Sequence, residues 1–242
     1  MQVRSTADDC FEFFGGTVDA KYLICQNPGD DGLDFEMGYA GRLQFVIMRD
    51  DPSEVDGSNG IEADNDSSGS TNEPHTEPVI FNATFCGTNR AGKKENYGLL
   101  VRRGARVHAA NAVVMGFDAG LDVRDGRSVA DIKGSVFHGN LSHAIAYPEA
   151  SSVNRGAGAD DDDGFDEVAW VSEANRQNGT FDPGIQGCFD PRDPNFKPGE
   201  TLAEGAQTPP NDGFFDPSAV FVGAFRDAKD GWDVGWAVWH DD

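Results

Sequence analysis

A short phrase recurs through the first half of this chain, and it limits the fold more than any single residue does. It reads DCFEFFGG (Asp9–Gly16), DGLDFEMG (Asp31–Gly38), NGIEADND (Asn59–Asp66), YGLLVRRG (Tyr97–Gly104) and AGLDVRDG (Ala119–Gly126). After each copy comes a second extended run: AKYLIC, RLQFVIM, PVIFNATFC, VHAANAVVM and VADIKGSVF. From Phe11 to Leu33, and again from Leu99 to Leu121, the step is 22 residues, while EVDGSN, SSGSTNEPHTE and GTNRAGKKEN lengthen the middle steps. A unit this small cannot bury its own apolar face, so the copies must stack on one another. Short strands joined by Gly-rich corners make one coil of a parallel β-helix. No apolar pattern of period 3.6 persists, which excludes helical repeats, and the Leu and Asn spacing of leucine-rich repeats is missing.

The expected fold is therefore all-β. It is a short parallel β-helix of about five coils over residues 1–146. Residues 147–242 read as an acidic loop region followed by an irregular, aromatic C-terminal cap packed on the solenoid, where Trp232, Trp236 and Trp239 cluster. These tryptophans are expected to cover the open end or the flank of the stack, whose edges would otherwise be exposed.

Aligning the phrases predicts which side chains are neighbours. Phe11, Leu33, Ile61, Leu99 and Leu121 share one column, and Phe13, Phe35, Ala63, Val101 and Val123 share the column two residues on. Period-two spacing puts both on the buried face. Between them, pointing outward, stand Glu12, Asp34, Glu62, Leu100 and Asp122; the next outward column is Phe14, Glu36, Asp64, Arg102 and Arg124. Adjacent rungs lie about 4.8 Å apart, so stacked carboxylates must repel, take up protons or hold a cation.

Composition narrows the partners. A net charge of −23 on 242 residues argues against nucleic acid and anionic lipid, because binding there requires cationic side chains to displace counterions. No apolar run is long enough to span a membrane. The N-terminus MQVRSTADDC has no apolar leader segment, so the chain is either cytosolic or has been separated from its leader. Cys10, Cys25, Cys86 and Cys188 match no zinc or CxxC spacing. They read as buried thiols in a stacked core, with a disulfide involving Cys10 or Cys188 as the alternative.

The phrases DDCFEFFGGTVDAKYLIC, DDGLDFEMGYAGRLQF and GIEADND, with the C-terminal pattern FFDP…VGAF…W..GW, resemble the right-handed parallel β-helix domains of bacterial secreted and surface proteins of the lipoprotein type. The resemblance covers most of the chain. It implies an extracellular or cell-surface location and brings no established reaction. The chain departs from the pattern by starting within a coil, which leaves its true N-terminal boundary open.

The outward face carries the candidate chemistry. Glu12, Asp31, Asp34, Glu36, Glu62 and Asp64 are candidate ligands for Ca²⁺, which takes six to eight oxygens in flexible geometry. Arg102, Arg103 and Arg124 form a basic end expected to contact a glycan or cell-surface polymer. The competing reading is a solvated acidic face offset by these arginines. The leading functional expectation is a calcium-stabilised, non-enzymatic surface protein that binds glycan. The alternative is a polysaccharide lyase or glycoside hydrolase that would use Glu36, Asp64, Arg102 and Arg124. Any acid ladder meets the glycosidase carboxylate spacings of about 5 Å or about 6.5–9.5 Å, so spacing alone does not select it. The run Asp160–Asp163 fails the EF-hand pattern, and no phosphate loop or nucleophile elbow is present. His138 and His143 read as structural residues near a turn.

Overall fold

The computed structural model describes residues 1–50, 58–90, 96–146, 164–185 and 187–239. The run Asp160–Asp163 lies outside the described residues. Among the described residues twelve strands follow in chain order: β1 (Gln2–Arg4), β2 (Phe11–Phe14), β3 (Ala20–Gln26), β4 (Leu33–Glu36), β5 (Arg42–Arg49), β6 (Ile61–Asp64), β7 (Val79–Cys86), β8 (Tyr97–Arg102), β9 (Arg106–Met115), β10 (Ala119–Val123), β11 (Val129–Lys133) and β12 (Val136–His138). They alternate between two parallel sheets. The short-strand sheet has the order β10-β8-β6-β4-β2; the long-strand sheet runs β1-β3-β5-β7-β9-β11, with β12 also on β9. The chain thus winds as a parallel β-helix.

The short-strand sheet has the register read from the phrases. Phe11 pairs with Leu33, Leu33 with Ile61, Ile61 with Leu99, and Leu99 with Leu121. All five are buried in one core with Phe35, Ala63, Val101 and Val123. Phe13, Phe35 and Tyr39 stack at its N-terminal end, with ring centroids 4.6–5.4 Å apart.

The glycines of the phrase have two separate jobs. Gly32, Gly60 and Gly98 open it: a Cβ built on each would meet the carbonyl oxygen of the next coil's opening glycine at 2.9, 2.5 and 2.6 Å. The closing glycines serve backbone geometry. Gly16, Gly38 and Gly104 have φ of 80°, 81° and 84°, a left-handed conformation in which other residues are strained.

The long strands contain a bend that strict alternation does not anticipate. Tyr22, Phe45, Asn82, Asn111 and Gly134 lie in one column and all have positive φ, between 55° and 61°. At this column the inward-facing set slips by one residue: in β5, Leu43 and then Val46 enter the core. Beyond the slip, Ile24, Ile47 and Val113 face outward and pack under Phe196, Val222, Ala224 and Phe225. The C-terminal segment therefore lies along the flank of the long-strand sheet. Asn82 donates to the carbonyls of Ala219 and Phe221 at 3.1 and 2.6 Å, and Asn111 to that of Gln207 at 2.9 Å.

A different segment closes the C-terminal end of the stack. Helix α1 (Glu167–Val171) begins at Asp166, whose carboxylate accepts the Ala169 N–H. The Glu167 carboxylate accepts the Val123 N–H, the Trp170 indole donates to the Ala130 carbonyl, and the Asn178 amide donates to the Ile132 carbonyl. Last-rung backbone groups that would otherwise face an open edge are thereby satisfied.

The stacked-thiol reading of the cysteines is corrected. Cys10 pairs with Cys25 (Cα–Cα 5.7 Å) and Cys86 with Cys188 (Cα–Cα 6.3 Å), so all four are disulfide-bonded. Cys25 and Cys86 stand at the ends of long-strand runs, and their partners Cys10 and Cys188 come from outside that column.

Candidate functional site

The outer face of the short-strand sheet brings the acid ladder together. Glu12 pairs with Asp34 and Asp34 with Glu62 on successive rungs, and Asp64 pairs with Arg102. At its far end the same outward column is covered: Leu100 and Asp122 are buried, Leu100 in a cluster separate from the main core with Tyr97 and Ala119.

The basic residues are spent on this ladder. Arg102 ion-pairs with Glu62 and, through Nε, with Asp64 Oδ1 at 2.8 Å; Arg103 reaches Asp64 Oδ2 at 2.6 Å. Arg124 Nε contacts Asp122 Oδ2 at 2.7 Å, and its guanidinium lies over the Tyr97 ring. Burial still pushes Glu62 up to about 7, against the pull of Arg102.

At the N-terminal end of the ladder, Asp9, Glu12 and Asp34 make no ion pair among the described residues. Carboxylate oxygens of Asp9, Glu12 and Asp34 lie within 4.8 Å of one another, and a second group joins Asp8, Asp9 and Asp30. Oδ1 of Asp34 is buried without a hydrogen-bond donor. Burial, followed by repulsion from Glu62 and Asp9, raises Asp34 to about 8. Burial also raises Asp9 to about 6, although the Asp31 N–H opposes it. Glu36 is raised by burial and by Asp64.

Asp31 has a different position from the other candidates. It is 3 % exposed, and its Oδ1 accepts both the backbone and the side-chain N–H of Asn59 at 2.7 and 2.9 Å. Asp9 Oδ1 accepts the Asp31 N–H, and Asn59 Oδ1 accepts the Tyr97 N–H. These side chains form a spine of coil-to-coil bonds at the corner. Burial raises the Asp31 carboxyl well above its ordinary value.

The raised carboxyls make stability depend on pH. An unfolded Asp titrates near about 3.9. Between there and about 8, the folded chain holds a proton on Asp34 that the unfolded chain has lost. The stability this proton contributes is complete at low pH and is lost as pH rises through the folded value. In chelator, the melting temperature should fall from pH 5 to pH 8, and Asp34→Asn should flatten that slope. A slope unchanged by the substitution would place the titration elsewhere.

A second concavity, of about 470 Å³, lies on the long-strand sheet and was missed from sequence. Val79, His108 and Asp131 share one register position there. His108 Nε2 is 2.9 Å from Glu77, and its Nδ1 is 3.5 Å from Asp131. Asp131 also pairs with Lys133 at 2.9 Å and with Arg176 at 2.6 Å. Burial would raise Asp131, but these two cations hold it below its ordinary value. The available signal was the shared column of His108 and Asp131; the bend and the insertion before Val79 concealed it.

Two parallel sheets wound coil on coil, joined at one corner by a buried spine of Asp and Asn, define a parallel β-helix. Residues 1–180 match the family model of the pectate-lyase-like β-helix domain, and the chain belongs to that family. Comparison with curated proteins and with solved structures found no match. Among the described residues no helix is long and apolar enough to cross a membrane.

Proposed function

We propose that this is a non-enzymatic extracellular β-helix protein that is stabilised by Ca²⁺ and binds a glycan or cell-surface polymer along the outer face of its short-strand sheet. The observation that carries the reading is the cluster of Asp9, Glu12 and Asp34, in which a buried Asp34 oxygen lacks a donor. Hard, oxygen-only ligands converging from adjacent rungs suit Ca²⁺. The ligand set is narrower than the sequence implied: Glu62 and Asp64 are engaged by Arg102 and Arg103, and Asp31 by Asn59. Glu36 stands beside the cluster. Pairing of all four cysteines supports an oxidising, extracellular compartment.

Ca²⁺ should raise the melting temperature and EDTA should lower it, with both responses lost in Asp34→Asn. A melt that is indifferent to Ca²⁺ would remove the cation from this reading. Pull-downs on anionic polysaccharides, comparing Glu36→Ala and Arg102→Ala with the parent chain, test the binding face.

Lyase or hydrolase activity is the second reading, favoured by the pectate-lyase-like family. Arg102 and Arg124 are already ion-paired, which disfavours either as a base. Ultraviolet-absorbing unsaturated products from uronate polymers would reverse this preference.

A further inference from the structure

The bend column of the long-strand sheet changes character along the stack. Its later positions are Asn82, Asn111 and Gly134, residues that tolerate left-handed backbone, but its first two are Tyr22 and Phe45, with φ of 60° and 61°. A bulky residue in this region is an outlier, and such strain persists where surroundings or function demand it. Asn82 and Asn111 use the position to fasten the C-terminal segment. Tyr22 instead is 41 % exposed.

Between these rings and the C-terminal segment lies a pocket of about 390 Å³. Its walls are Tyr22, Phe45, Phe221 and Trp232. Tyr22 stacks on Phe45 at 5.1 Å, and Trp232 leans on Tyr22 at 5.4 Å with an interplanar angle of 50°. The wall is held in place: the Trp232 indole donates to the Ala224 carbonyl at 2.9 Å, and its ring stacks on Phe225 at 4.8 Å. Asp216, Asp227 and Asp230 stand at the rim with Arg226 and Lys229. One oxygen of each carboxylate is oriented by a backbone N–H, from Ser218, Lys229 and Arg226 respectively.

We propose that this pocket binds a neutral sugar ring, stacked on the aromatic wall with its hydroxyls donating to the rim carboxylates. Aromatic walls with a few fixed polar groups are the usual make-up of a small-ligand site. At the rim itself, three carboxylates against two cations disfavour an anionic sugar. Arg226 and Lys229 disfavour a simple cation and can donate to ring or hydroxyl oxygens. The site shares the glycan class of the reading above but none of its residues and no calcium.

Calorimetric titration of the full chain with cellohexaose, mannohexaose and chitohexaose tests the proposal, with polygalacturonate as the anionic probe. Saturable binding of one neutral probe is expected, unchanged by EDTA or by Asp34→Asn. Tyr22→Asn installs the residue type of the later coils. It should weaken that binding by at least about tenfold while raising the melting temperature by about 2–4 °C through relief of backbone strain. Absence of binding by all three neutral probes would overturn the proposal, as would equal binding by Tyr22→Asn. A lower melting temperature in Tyr22→Asn would also overturn it, because Tyr22 would then be a clamp for the C-terminal segment. EDTA-sensitive binding of polygalacturonate alone would sink this site and uphold the charged-face reading.

Discussion

Gly98→Ala is expected to destabilise the chain by about 3 kcal/mol or more, a loss at the upper end for overpacking. A Cβ at this position would lie 2.1 Å from Val114 Cγ1 and 2.6 Å from the Gly120 carbonyl oxygen. The valine could turn away, but the carbonyl belongs to the next rung and can retreat only if two coils separate. For a chain of this size the melting temperature should drop by about 6–12 °C. Gly16→Ala is the matched control. Nothing lies within 4 Å of its Cβ, so only its φ of 80° opposes the substitution, at about 1–2 kcal/mol. Thermal melts of the two variants check the argument. Equal losses would mean that the close approach of the next coil adds nothing to the cost at Gly98.

Loss of the Cys86–Cys188 disulfide should have an effect at least as large. Its sequence separation is 102 residues, and closing a loop of that length stabilises by about 4.7 kcal/mol in the chain-entropy model. The Cys10–Cys25 bond spans 15 residues and should contribute about 3 kcal/mol. Cys86→Ser with Cys188→Ser should therefore melt lower than Cys10→Ser with Cys25→Ser. The larger loss has a local consequence as well. Cys188 ties the C-terminal segment to the end of β7, and that segment covers Ile24, Ile47 and Val113. Protease should cut the C-terminal segment of the first double variant before it cuts the coils. Resistance equal to the parent chain would show that flank packing alone holds the segment.

The contrast between the two sheets shows why part of the molecule was legible in sequence. The short strands are four to six residues long, alternate apart from Phe14 and Leu100 and are mostly bracketed by glycines, so aligning five phrases aligned five rungs. The long strands contain a left-handed residue in mid-run. The slip at Phe45 places Gln44 and Phe45 outside in succession and turns Ile47 outward against the C-terminal segment. A run apolar on both faces carries no periodicity from which that bend could be read.

The candidate site divides in the same way. The stacking of Glu12, Asp34 and Glu62 followed from the phrase alone. Their different states did not. Asp34 keeps a buried oxygen without a donor, while Glu62 and Asp64 are neutralised by arginines from the next coil. Asp31, adjacent to the opening glycine like Asn59, is absorbed into the spine that joins the coils.

By itself the sequence determined the stack: its columns, its glycines and the outward acid. These depend on residues repeating at fixed chain intervals, and a solenoid converts intervals directly into neighbours. Tertiary structure alone decided which carboxylates stay uncompensated, which cysteines pair and where the aromatic C-terminal segment lies. Those outcomes depend on long-range approaches, such as Cys188 to Cys86 or Asn82 to Ala219, whose partners share no period with the repeat.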